Sequence, residues 1–366
     1  FRTPYSLTGI SMSHDIAFLE RLLDAPGPSG FEVRAARVWR EEAQTFANDV
    51  HTDVTGNSFA VVNPSGTPRV MLAGHIDEIG LQITHIDDEG FIYIAEIGGW
   101  DPQVLVGQRV TILSKSGDVT GVIGKKAIHL MTPEDRKKAP ETKALWVDVG
   151  ASSGDQVREM GVRVADPMVV CQGMVRLAGD RIASRAIDDR VGAFVVLEVI
   201  RVLSDDPPVA CATAVATVQE EIGFAGGGAR AGAYVLEPDV AIAVDVTFST
   251  DVPDVDKKEL GEHQLGGGPV LSRGSAAHDN VFQMLTDVAE AEGIPYTIQA
   301  SPKATRTDAD GIFLTRGGVP TGLISIPNRY MHSPNEIISI EDLFHSARLI
   351  AAFIRRLTPE TDFTPR

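Results

Sequence analysis

The sequence predicts a three-layer α/β/α domain interrupted by a small all-β domain. Three observations predict it. Helical patterns alternate with short apolar strands before residue 80 and again from Ile187 onward, whereas the stretch between shows only short runs of period two. Histidines and acids also recur just past the strands, where an open α/β sheet builds its ligand crevice.

The first eleven residues, "FRTPYSLTGIS", carry neither an apolar signal core nor a basic flank and read as a leader or cloning remnant. From Met12, the residues Ile16, Leu19, Leu22 and Leu23 recur at helical spacing, with Ser13 as N-cap. "PGPSG" stops that helix, a second amphipathic helix follows over about 33–46, and a strand at 70–74 ends in "GHIDEIG". After Gly80, the runs "LQITHI", "FIYIAEI", "QRVTIL" and "VTGVIG" are joined by turns such as "DDEG" and "KSGD". "MTPEDRKKAPETK" reads as a surface loop. Residues 81–178 are therefore assigned to the inserted β domain, 12–80 and 179–358 to the α/β domain, and 359–366 to a tail.

In the second α/β part, a nearly all-apolar helix (191–203) precedes a strand at 212–218, and a glycine-rich helix leads to "VAIAVD". A helix over about 280–291, the strand "YTIQA", a short helix, the strand "TGLISI" and a final helix complete the alternation. Ser339 and Asp342 predict a capping box for the final helix, and Leu343, Ala347, Ile350 and Phe353 or Ile354 its buried stripe.

A chain of 366 residues with a formal charge of −17 can bury a large core and repels nucleic acid and anionic membrane, so neither is an expected partner. The longest apolar stretch, "VGAFVVLEVIRVL", is too short to span a bilayer and is broken by Glu198 and Arg201. Cys171 and Cys211 are the only cysteines, which excludes a disulfide framework. The expectation is two buried, reduced thiols in a cytoplasmic protein.

"ATVQEEIGFAGGGA" places Glu220 and Glu221 side by side where a core strand ends. Two adjacent carboxylates repel and are costly to desolvate, so a positive partner is expected. His75 and Asp77 follow one strand, Asp245 closes another, and His332 follows a third; Asp188 and Asp189 open a helix, whose dipole favours a carboxylate. Singly, each has a bland reading: a satisfied histidine, a helix cap, a solvated acid pair. Together, two histidines and several carboxylates suit zinc, cobalt or manganese rather than a thiolate-bound structural zinc. Within that set, Glu221 can hold a cation while Glu220 stays unligated and takes a proton from activated water, and Asp77 can fix the His75 tautomer.

"AGHIDEIG", "IDDRVG", "QEEIGFAGG", "VDV" and "RYMHSP" closely resemble the motifs of the tetrahedral (TET-type) metallo-aminopeptidases, which include glutamyl and leucyl aminopeptidases. The match runs in order over most of residues 12–357. The resemblance implies an α/β/α metallopeptidase domain with an inserted dimerisation domain, barrel or PDZ-like, and two divalent metal ions per subunit, Zn²⁺ or Co²⁺, with Mn²⁺ also compatible. It implies that His75, Asp188 and Asp245 hold one metal and that Asp188, Glu221 and His332 hold the other. It makes Glu220 the general acid/base and Asp77 the support of His75. It further implies peptide substrates and dimers that build a tetrahedral dodecamer. One departure stands in "ATRTDADGI", where Arg306 occupies a place that small residues usually fill.

The β domain's apolar Ile92, Ile94, Val104 and Leu105 are expected to leave part of a face uncovered and drive self-association. Two rival functions draw on the same residue types. A glycoside hydrolase also uses paired carboxylates, but aromatic residues make up only 6% of the chain and such a reading leaves both histidines unexplained. A non-catalytic metal or peptide-binding scaffold leaves Glu220 unexplained.

Overall fold

The computed structural model describes residues 12–223 and 226–365, with no side-chain description for 12–15. The leader assignment and the Ser13 cap fall outside the described residues and side chains. Helices α1 (Met12–Asp24) and α2 (Val33–Ala43) lead into the strands β1 (Asp49–Thr52), β2 (Ser58–Val62) and β3 (Arg69–His75). Next come β4 (Gly80–Ile86), β5 (Ile92–Ile97), the short helix α3 (Pro102–Leu105), β6 (Arg109–Ser114) and β7 (Gly117–Gly124). The strand β8 (Trp146–Asp148), α4 (Gly154–Glu159) and β9 (Pro167–Val170) follow. The strands β4 to β9 close into an all-antiparallel barrel in the order β4-β5-β8-β7-β6-β9.

The chain then returns through β10 (Val175–Arg176) and β11 (Arg181–Ser184) to the long helix α5 (Ile187–Asp205). It continues with β12 (Cys211–Thr217), α6 (Gly227–Leu236), β13 (Val240–Phe248), α7 (Lys257–Leu260), β14 (Val270–Arg273) and α8 (Asp279–Glu292). The last elements are β15 (Thr297–Ala300), α9 (Asp308–Phe313), β16 (Thr321–Asn328), β17 (Glu336–Ser339) and α10 (Ile340–Arg355).

The main sheet has eight strands in the order β1-β2-β12-β3-β13-β16-β14-β15, and its centre, β12-β3-β13-β16, is parallel. Both faces are covered, which is why the central strands read as continuous apolar runs. Alternation along β3 sorts the layers: Val70 and Leu72 pack into the core shared with α1, α2, α5, α8 and α10, while Met71 and Ala73 pack on the other side with residues of α6 and α9. Helix α5 is buried nearly all round, as its sequence predicts. A third, three-stranded sheet, β10-β11-β17, ties the end of the barrel segment to the start of α10.

Four expectations need correction. Ile92, Ile94 and Leu105 point into the barrel's own core with Val110, Ile112 and Val147, and Val104 is half-buried, so they form no uncovered face. The capping box does not form: Ser339 Oγ donates to the Asp180 carboxylate, and Asp342 accepts the Gly266 and Gly268 N–H groups at 2.8 Å each. Cys171 is exposed just beyond β9, whereas Cys211 is buried; both are free. The strand that contains Asp245 runs on to Phe248, so Asp245 lies within it rather than closing it.

Candidate metal centre

His75 ends β3, Glu220 and Glu221 follow β12, Asp245 lies late in β13, and His332 follows β16. Because those four strands are parallel and adjacent, their carboxyl ends deliver these side chains to one edge of the sheet. Helix α5 supplies Asp188 and Asp189 from its first residues, whose backbone is still non-helical (φ −73°, ψ 109° and φ −121°, ψ 36°). The helix reaches β3 closely because both elements use glycine there. A Cβ on Gly74 would lie 2.4 Å from the Gly192 carbonyl carbon and 2.5 Å from the Ala193 nitrogen. That approach lets the His75 N–H donate to Asp189 Oδ2 at 3.1 Å.

All eight residues singled out in the sequence meet here. His75 Nε2 lies 3.1 Å from Asp188 Oδ1 and 3.9 Å from Glu220 Oε2, and its Nδ1 faces the Asp77 carbonyl at 3.2 Å and Asp77 Oδ1 at 3.5 Å. His332 Nε2 lies 3.4 Å from Asp188 Oδ2 and 3.3 Å from Glu221 Oε2. Asp188 thus stands between the two imidazoles with one oxygen toward each. Among the described residues, two groups could hold a cation: His75 with Asp188 and Glu221, and His75 with Asp189 and Asp245. Asp189, which the sequence places in the cluster without a ligand role, therefore belongs to the donor set.

Asp77 does more than face His75. Fully buried, it accepts the Glu220 N–H at Oδ1 and the Glu221 N–H at Oδ2, both at 3.2 Å, and the Ser29 hydroxyl at 2.6 Å. It holds the loop that carries the glutamate pair. Two further residues escaped sequence reasoning. Glu336, four residues past His332, accepts the N–H groups of Asp188 and His332 at 2.8 Å each. Asp308 is buried, takes a 2.5 Å hydrogen bond from the Thr217 hydroxyl, and leaves Oδ1 without a partner. The only hint of either was its nearness to a quoted motif, "RYMHSP" or "ATRTDADGI". In the latter, Arg306 adopts a left-handed φ of 59°, a conformation that glycine takes without strain.

The electrostatics fit cations. Burial, then the charges of Asp245, Asp308 and Glu221 against the opposing pull of His75, push Glu220 up to about 10. Burial and the Asp188 charge push Glu221 up to about 7, and its Oε1 is buried without a hydrogen-bond partner. Burial also drives Asp189 and Asp245 well above the usual carboxylate range, aided by their mutual or Asp188 repulsion. Burial alone would raise Asp188 too, but its bonds to His332 and His75 outweigh it and hold Asp188 low. Asp188 and Glu221 in turn push His332 up to about 11. Crowded, desolvated acids around two imidazoles, with an orphaned oxygen, are relieved by divalent cations bound through nitrogen and oxygen. His332 also takes a left-handed φ of 60°, a conformation that costs about 1–3 kcal/mol and clusters at functional sites.

Solved peptidases share this fold. The chain superposes on the TET aminopeptidase of a marine-sediment Thaumarchaeota archaeon with a TM-score of 0.90 at 34% identity, over 95% of this chain and 98% of that one. A TET peptidase of Pyrococcus horikoshii matches with a TM-score of 0.83 at 31% identity, over 94% and 100%. Sequence narrows the class. The profile of the M42 glutamyl aminopeptidase family matches residues 56–349. The lysyl aminopeptidase of Pyrococcus furiosus is 35% identical over 353 residues, 96% of this chain and 99% of that protein. The chain belongs to the M42 glutamyl aminopeptidase family and is a peptidase. Among the described residues, no helix is long and apolar enough to cross a membrane.

Proposed function

We propose that the chain is a two-cation aminopeptidase that removes N-terminal residues from peptides, with Glu220 as general base and then general acid. The observation that carries this reading is the separate standing of Glu220. It lies outside both groups that could hold a cation, yet its carboxylate is 3.9 Å from the His75 imidazole and its N–H is tied to Asp77. His75, Asp188 and Asp245 would hold one ion, with Asp189 as a further donor, and Asp188, Glu221 and His332 the other. Zn²⁺ or Co²⁺ suits that set, and Mn²⁺ is compatible. When bound, such cations lower the pKa of water and polarise a carbonyl.

Glu220 removes the water's proton at its carboxylate and delivers it to the departing amine, so one side chain serves both half-steps. The field of bound cations would bring Glu220 down from the high value it has beside bare carboxylates, making it an acceptor near neutral pH. Asp77 keeps Glu220 and Glu221 on their own sides of the site through their backbone amides. The many acids crowding the site favour a substrate with a free α-ammonium group.

The test compares matched peptides with free and acetylated N termini, with and without chelator, read by mass spectrometry. Stepwise trimming of the free peptides alone, lost on chelation, is expected. Internal fragments from the acetylated peptides would instead make it an endopeptidase. The Pyrococcus horikoshii relative can assemble into a tetrahedron or a large octahedral shell. We extend a closed homo-oligomer of that kind, a tetrahedral dodecamer assembled from dimers, to this chain. A stable monomer in light scattering under metal-replete conditions would remove it.

A further inference from the structure

We propose that Glu336 is a positioning residue that sets the spacing between Asp188 and His332. This inference rests on the two-cation reading above, in which those two side chains share an ion. Glu336 is buried at the start of β17, opposite Ser184 at the end of β11, and β11 leads in four residues to Asp188. Its Oε2 accepts the Asp188 N–H and its Oε1 the His332 N–H, each at 2.8 Å. One carboxylate therefore clamps the backbones of two residues from different elements.

Neither amide has a partner in regular structure. Asp188 has a non-helical backbone within the first turn of α5, and His332 sits in a turn with a left-handed φ of 60°. Left to itself, that turn has no preference for the observed conformation. With Glu336 in place, His332 Nε2 stands 3.4 Å from Asp188 Oδ2 and 3.3 Å from Glu221 Oε2. Glutamine cannot replace it: the amide offers one acceptor oxygen and one donor nitrogen to two N–H donors, so one of the two amides meets a donor.

The experiment titrates Co²⁺ into metal-free wild-type protein and its E336Q, E336D and D342N variants, following heat and visible absorption. D342N is the control, because Asp342 clamps the Gly266 and Gly268 amides in the same manner and, among the described residues, these amides belong to no residue of the site. Wild type and D342N should take up two equivalents alike. E336Q should weaken one equivalent by about 10–100-fold, as loss of a ligand-orienting partner does, and shift the Co²⁺ absorption band. E336D, which keeps the charge on a shorter arm, should fall between. If E336Q binds both equivalents with wild-type affinity and spectrum, the inference is overturned while the two-cation reading stands. If E336Q does not fold, folded E336D with unchanged Co²⁺ affinity and spectrum overturns it equally. A wild type that takes up no second equivalent overturns both.

Discussion

Glu220→Gln should abolish turnover and leave cation content untouched. The side chain keeps its volume and one oxygen, and the backbone N–H that donates to Asp77 Oδ1 is not altered. Glu221 therefore keeps its place, because its own N–H still donates to Asp77 Oδ2. What is lost is proton acceptance. Removing a general base costs about two to four orders of magnitude in rate, or about 2.7–5.4 kcal/mol of transition-state stabilisation. A residue that also protonates the leaving amine belongs at the upper end. Glu221→Gln should behave oppositely: Oε2 faces His332 at 3.3 Å, so its loss weakens one cation and excess Co²⁺ or Zn²⁺ restores part of the rate. The assay is kcat on a free dipeptide with elemental analysis of the same samples. If excess cation rescues Glu220→Gln and not Glu221→Gln, the roles are exchanged. If both stay near the wild-type rate, the assignment of acid/base chemistry to this pair is wrong.

Three further outcomes follow from the same contacts. Metal-free protein should lose stability as pH rises from about 7 toward 11: Glu221, Glu220 and His332 all have folded-state values raised, to about 7, about 10 and about 11, so the stability their bound protons contribute is present below their unfolded values and lost on passing the folded ones. Thermal melts in chelator should show this fall, and added Zn²⁺ should flatten it; a melt independent of pH across that window would contradict the electrostatic account. Gly74→Ala should destabilise by about 1–3 kcal/mol, since its Cβ meets backbone atoms of Gly192 and Ala193, and should lower cation uptake by moving His75; denaturant titration with elemental analysis checks both. Arg190→Met should cost about 3–5 kcal/mol in urea unfolding. Its guanidinium, fully buried, donates to the carbonyls of Leu22 (2.9 Å), Ile76 (3.2 Å) and Ala25 and to Glu78 Oε1 (2.7 Å), and a neutral effect would show that this cluster does not hold α1 to β3.

The parallel centre of the sheet was legible because strands covered on both faces are apolar throughout, and turn glycines and acids mark their ends. The site was legible for a related reason: parallel neighbours bring their carboxyl ends together, so ligand-type residues just past several strands must converge. What was hidden depends on partners distant in the chain. The edge strand β1 carries no strong run of its own; it is mostly exposed and is defined by pairing Asp49–Thr52 with residues 58–61. Closure of the barrel cannot be read from Ile92 or Leu105 singly, since the same alternation fits an open sheet with an uncovered face. Ser339 and Asp342 satisfy a local capping rule, but Asp180 and the Gly266–Gly268 loop outcompete it. Glu336 and Asp308 have nothing in their sequence neighbourhoods that names the amides and hydroxyl they serve.

The hidden residues share a physical role. Ligand-type side chains crowded together repel, and nothing in their own rotamers fixes where they stand. Here that task falls to carboxylates that bind backbone. Asp77 takes the amides of Glu220 and Glu221, and Glu336 takes those of Asp188 and His332. The two Glu336 bonds are short at 2.8 Å and the two Asp77 bonds longer at 3.2 Å, and two amides on one carboxylate fix a distance between segments that share no regular pairing. Gly74 against Gly192 fixes the third distance, from β3 to the head of α5, by backbone contact alone. Three constraints on three loops suffice to hold His75, Asp188, Glu221 and His332 against their mutual repulsion. The cost of holding these acids buried shows in the raised proton affinities of Glu220 and Glu221 and in Glu221 Oε1, which is left without a hydrogen-bond partner.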